Sequence, residues 1–220
     1  MRASEPATTG GRDPISSPAP AFEVLGAEPV AHAAAPTLRY SLRVADPSGQ
    51  DVHAIALAAQ LQLDPARRSY DAATRERLVE LFGAPERWAA TTRSFLWAQV
   101  GAVVPAFRGQ ADFTLDVACT YDLEVAAAKY IHSLPGGEAP VTFHFSGTIL
   151  YGRMQISMVP WSCSASWKLP VETWKRMMAL HYPGGGWVRL EAATLDRLAE
   201  RKARGGLRSF DATVSELLDE

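Results

Sequence analysis

The chain carries five histidines, His32, His53, His132, His144 and His181, and two cysteines, Cys119 and Cys163. A zinc site readable from sequence pairs its ligands at i, i+4 on a helix or across a short loop. No two of these histidines share such spacing, and there is no C-x-x-C. A metal site would have to be assembled wholly by tertiary approach, so the expectation is no metal and no cofactor. Cys163 in WSCSASW has no adjacent base and no helix N-terminus to lower its pKa. Both cysteines sit in strand-like contexts, where a thiol packs as a small hydrophobe. A disulfide between them stays open, since it needs Cα atoms within about 7 Å. No G-x-S-x-G elbow exists, and Ser146-Gly147 lies mid-strand. Asp122 and Glu124 at i, i+2 on a strand would share a face and could act as general acid and base. A charged, solvated strand entrance is the plainer reading. An enzyme would need at least three of Asp122, Glu124, His132 and His144 in one pocket. The triple glycine Gly184–Gly186 lacks both GxGxxG spacing and a Lys-Ser/Thr partner, and reads as a loop.

The six tryptophans are the most suggestive group. All fall between residues 88 and 187, four of them (Trp161, Trp167, Trp174, Trp187) in the final third. A tryptophan needs a wall for its ring and a partner for its N–H, so one reading is that they weld helices onto a sheet. The sharper one is that Trp161 and Trp167, in the polar loop PWSCSASWK, are partly exposed as an interaction hot spot or a sugar platform. Trp161, Trp167, Trp187 and the neighbouring Tyr182 are therefore the candidate interaction surface. Arg189, Arg197, Arg201, Lys202, Arg204 and Arg208 form a basic cluster. Glu191, Asp196 and Glu200 intersperse it, which reads as a solvated helix face. A formal net charge of -2 and a pI of about 6.2 give no global attraction to nucleic acid or anionic membrane. No signal peptide is visible, and no apolar run approaches the roughly 20 residues of a membrane helix. The expectation is a soluble cytoplasmic protein.

The elements that must position these residues are mostly strands. Residues 1–20, rich in Ala, Pro, Ser, Thr and Gly, read as a disordered tail. Phe22–Val30 is a candidate strand. Leu38, Tyr40, Leu42 and Val44 alternate with polar residues across Thr37–Ala45. Asp46-Pro47-Ser48-Gly49 is turn chemistry, and Val52–Leu63 follows, predicting a hairpin or meander. Asp71 caps a helix over Ala72–Phe82 that Gly83 stops. Asp112–Thr120 and Met154–Val159 are further strands. Val141, Phe143, Phe145, Ile149 and Tyr151 mark the clearest strand of all. If Gly136-Gly137 closes a two-residue hairpin before it, Lys129 falls opposite His144 and Tyr130 opposite Phe143. The run EVAAAKY supports a helix there as the alternative. Helices are expected after Pro170, around Leu195 and Leu198, and after Ser209.

The sum is an α+β chain: a mainly antiparallel β-sandwich-like core with one inserted helix and a helical C-terminal cap. The boundaries read as a tail over 1–20, a core over 21–168 and a cap over 169–220 packed on that core. The motifs LFGAPERW (Leu81–Trp88), YDLEVAAAKYIHSL (Tyr121–Leu134), FHFSGTILY (Phe143–Tyr151), VPW (Val159–Trp161), LPVETWKRMM (Leu169–Met178) and GGWVRL (Gly185–Leu190) resemble an actinobacterial family of unknown function. Its members are associated with nickel–iron hydrogenase gene clusters. The resemblance implies an accessory or assembly role and offers no catalytic residue to carry over. The leading expectation is a non-enzymatic protein that binds another protein, with homo-oligomerisation open. A small-ligand or carbohydrate-binding module using the exposed tryptophans is the alternative. An enzyme assembled by tertiary contacts comes third.

Overall fold

The computed structural model describes residues 19–120, 122–123, 125–152 and 155–219. The expected tail falls almost wholly outside them, as do Glu124 and Met154. Two antiparallel sheets pack face to face. The smaller consists of β1 (Ala21–Pro29), β2 (Thr37–Ala45) and β6 (Gln110–Ala118), in the order β1-β2-β6. The larger runs β4 (Phe95–Val104), β3 (Asp51–Leu63) and β7 (Glu138–Tyr151). The two-residue β5 (Phe107–Arg108) also pairs with β3. On the far edge of β7, β8 (Ile156–Val159) pairs with Gly147–Leu150 and β9 (Ser164–Pro170) with Glu138–His144.

Alternation explains which side each strand buries. Leu38, Tyr40, Leu42 and Val44 of β2 are fully buried, as are Ile55, Leu61 and Leu63 of β3 and Phe143 of β7. Tyr40 sits at the centre, edge-on to Phe143 at 5.1 Å, Trp167 at 5.7 Å and Trp97 at 6.4 Å. These contacts cross between the sheets and make one continuous core.

Helices close the sandwich. In α1 (Ala72–Phe82) the Asp71 carboxylate accepts from Thr74 N at 2.7 Å, and Gly83 with φ 75° ends it. The short α2 (Trp88–Thr91) follows. Next come α3 (Ala126–Ser133) and α4 (Val171–His181). The chain ends in α5 (Ala192–Gly205) and α6 (Phe210–Leu218), the latter capped by Ser209 Oγ accepting from Ala212 N.

Three expectations need correction. Residues 126–133 are helix α3, not the first arm of a hairpin. Ala127, Ala128, Tyr130 and Ile131 are buried on one helical face, and alanine is a strong helix former. Lys129 consequently pairs with Glu80, not with His144. β2 and β3 do not form a hairpin either. Each pairs with strands of its own sheet, and the Asp46–Gly49 turn carries the chain across the sandwich. Alternation marks a strand with one buried face but does not distinguish a side-by-side neighbour from one that faces it. Finally, the C-terminal cap divides. Val171, Trp174, Met177 and Met178 of α4 belong to the core cluster, which together with its partly buried fringe ends at Tyr182. Helices α5 and α6 pack chiefly on each other, and α5 buries no residue.

Candidate functional site

The outward positions of the larger sheet form a trough. The register places Gln60 of β3 between Gln99 of β4 and His144 of β7, and His144 beside Ser164 of β9. This polar rung crosses four strands, spaced about 4.8 Å apart. The next rung is Gly101, Ala58 and Ser146. Small side chains there leave a hollow of about 630 Å³, with Gln62 at one side and Trp161 lining it just past the end of β8. A second hollow of about 520 Å³, floored by Ala56, Gly101, Val103 and Gly147, shares Ala58 and Gly101 with the first.

Gly147 makes that floor possible. Its φ is 148°, and a Cβ there would lie 2.1 Å from the Ala56 carbonyl oxygen. Only glycine allows β7 to approach β3 this closely. Among the described residues, the trough lining contains no Asp, Glu, Lys or Arg. No side-chain hydrogen bond joins Gln60, Gln99, His144 or Ser146 to another described residue. Trp161 is 89% exposed and makes no aromatic contact with a described residue. By contrast, Thr142 at the end of the face donates to Asp64, and Ser166 accepts from Arg67 at 3.3 Å.

Of the four candidate aromatics, only Trp161 lines the trough. Trp161 lies on the trough's rim. Trp167 stands in β9, not in a loop: alternation turns Ser164, Ser166 and Lys168 outward and Trp167 inward onto Tyr40, where it is half-buried. Tyr182, also half-buried, packs against the core just after α4. Trp187 is exposed in the segment between α4 and α5, close in sequence to the exposed Val188 and Leu190. Beyond it Leu195, Phe210, Val214 and Leu218 are exposed on α5 and α6. Part of the basic cluster is neutralised there: Arg201 pairs with Glu216 at 3.2 Å and Arg204 with Glu200 at 3.8 Å. Lys202 lies over the Phe210 ring at 5.5 Å.

The acid–base candidates are dispersed among the described residues. His144 is in the trough, with no carboxylate among the described residues that line it. His132 is exposed on α3, where desolvation and then the positive charges of Lys175 and Arg77 hold its pKa below the ordinary range. The Asp122 amide is tied to Thr120 Oγ1 at 3.0 Å in the loop before α3. No three His, Cys, Asp or Glu among the described residues gather as a metal-binding group. Cys119 and Cys163 are buried and unbridged. Burial pushes the Cys119 thiol up to about 12, and it raises Cys163 too, so neither is an activated nucleophile. No described helix is long and apolar enough to cross a membrane.

Gln60, Gln62, Gln99 and Ser146 escaped sequence reasoning. A glutamine has no motif, and sheet register alone brings these four together. The available signal was the outward series Ala54, Ala56, Ala58, Gln60 and Gln62, an exposed strand face without a charge.

Among solved structures, the chain is similar to a Bordetella pertussis protein described as ApaA, with 11% identity and a TM-score of 0.31 over 68% of this chain and 91% of that one. It is similar to a CARDB domain from Pyrococcus furiosus in complex with di-metal ions, with 8% identity and a TM-score of 0.29 over 76% and 98%. A late embryogenesis abundant protein gives 14% identity and a TM-score of 0.33 over 70% and 72%. Likenesses this distant carry no argument about function. No curated protein matches the sequence. A family model described as a family of unknown function (DUF6084) matches residues 17–220.

Proposed function

We propose that this chain, which belongs to that family of unknown function, is a non-catalytic binding protein that docks a protein partner through its C-terminal helices. One observation carries the reading: the segment after Tyr182 exposes Trp187, Val188, Leu190, Leu195, Phe210 and Leu218 while contributing nothing to the core. Scattered exposed apolar residues are ordinary, but six within residues 187–218, three just before α5 and three on α5 and α6, are read as an interaction surface. Arg197, Arg204 and Arg208 would supply a polar rim to this apolar centre. The proposed setting is the cytoplasm of an actinobacterium, with a nickel–iron hydrogenase assembly or maturation component as partner. That setting and partner rest on the family resemblance alone.

The test is affinity purification with mass spectrometry from native cells, using the wild type and a Val188→Asp/Phe210→Asp variant. The expected result is a specific partner retained by the wild type and lost by the variant, whose fold is intact. A partner set that the variant recovers equally well, or no specific partner at all, would overturn the proposal.

A further inference from the structure

We infer that the outer face of the six-stranded sheet is a binding site for a neutral polyhydroxylated chain, a glycan, with Trp161 as its stacking platform. The argument begins with what the trough excludes. Among the described residues its lining holds no charged side chain, so an anionic or cationic ligand would be desolvated without a counter-charge. A wholly apolar ligand would bury the amides of Gln60 and Gln99, the His144 imidazole and the Ser146 hydroxyl unpaired, which costs the desolvation of each. An extended peptide is recognised at a strand edge through its main chain, whereas β3 and β7 are paired on both sides here.

A sugar chain meets both demands. Its hydroxyls both donate and accept, as do the two faces of a carboxamide, and the amides in this rung have no partner among the described residues. The apolar face of a pyranose needs a flat apolar wall, and Trp161 presents an indole that is 89% exposed and free of ring contacts with described residues. The rung Gln99–Gln60–His144–Ser164 offers one polar group per strand, matching a ligand with repeating hydroxyls laid across the strands. The continuous floor of Gly101, Ala58 and Ser146 leaves room for rings to lie flat.

The experiment is isothermal titration calorimetry of the full chain with cellohexaose, laminarihexaose, maltohexaose, xylohexaose and mannohexaose, and with polygalacturonate as an anionic probe. At least one neutral hexaose binds with Kd below about 1 mM, and Trp161→Ala weakens it about tenfold. Gln60→Ala and Gln99→Ala each weaken it several-fold, and polygalacturonate does not compete. Trp161 is exposed, so its loss leaves folding intact, which circular dichroism checks. The inference is overturned if no neutral hexaose binds in that range. It is equally overturned if binding survives Trp161→Ala and Gln99→Ala unchanged. Trp161-dependent dimerisation in sedimentation velocity without hexaose binding would assign the face to a second copy instead. None of these results depends on the C-terminal helices, so the two proposals fail separately.

Discussion

On the three-stranded sheet, the outward positions of β1, β2 and β6 carry Glu23, Arg43 and Asp112 in one row and Glu28, Arg39 and Asp116 in another. On the six-stranded sheet, the two middle rungs of β4, β3 and β7 carry Gln99, Gln60 and His144 in one row and Gly101, Ala58 and Ser146 in the next. Both faces come from the same two-residue alternation over one core. The first commits its polar atoms: Arg39 is bidentate to Asp116 at 2.7 and 2.6 Å, and Arg43 to Asp112 at 2.7 and 2.9 Å. Such paired charges hold water and resist docking. The second face leaves its amides and one indole uncommitted. A charged face is what an antiparallel sheet ordinarily shows to solvent, so the neutral one is where a ligand is to be sought.

The largest effect expected from breaking this contrast is at Gly147. Replacing it by alanine sets a Cβ 2.1 Å from the Ala56 carbonyl oxygen at a φ of 148°. Urea denaturation of Gly147→Ala is expected to show a loss of about 3 kcal/mol or more. Gly101→Ala, whose Cβ would meet only the Leu57 carbonyl oxygen at 3.7 Å, stays within about 1 kcal/mol of wild type. Equal losses at the two glycines would remove close approach of β7 to β3 as the reason for glycine at the floor of the second hollow.

A smaller effect separates binding from folding. Trp161→Ala and Val188→Asp are each expected to leave stability within about 0.5 kcal/mol, because neither side chain is in the core. A thermal melt checks this.

The smallest effect belongs to the charged face and depends on pH. Hydrogen bonds from Arg43 and Arg39 hold the carboxyls of Asp112 and Asp116 below the usual carboxylate range. Their folded pKa values lie below the unfolded ones. The stabilisation is therefore full above about pH 4 and is lost as pH falls through the depressed values. An Asp112→Asn/Asp116→Asn variant should lose stability less steeply than wild type on acidification, and salt should diminish the difference. Unfolding midpoints from pH 7 down to about pH 2 would test it.

Much of the sandwich was legible because β2 from Leu38, β3 from Ile55, β6 and β7 from Phe143 turn alternate residues to the core, and because Asp71, Gly83 and Ser209 mark helix ends by their own hydrogen-bonding chemistry. Strand β4 was not foreseen. FLWAQVGAVV is apolar at both parities, and its register against β3 shifts between Leu61 and Gln62, which breaks the alternation. Helix α3 was ambiguous because a run of small apolar residues fits either period. Trp161 stood out as a residue type, but which tryptophan faces outward depends on where β9 begins. The glutamines stayed hidden because their meaning lies in what is missing around them, namely charge and internal partners.

The central claim is that the neutral face binds and the charged face does not. Its most direct test sets one substitution on each face: Ala58→Phe fills the trough floor, and Thr114→Phe adds the same ring at an exposed outward position of β6. Titration with the neutral hexaose that wild type binds best should show Ala58→Phe weakened by at least about tenfold and Thr114→Phe unchanged. Equal affinity in both variants, or the loss of binding in Thr114→Phe, would contradict the account.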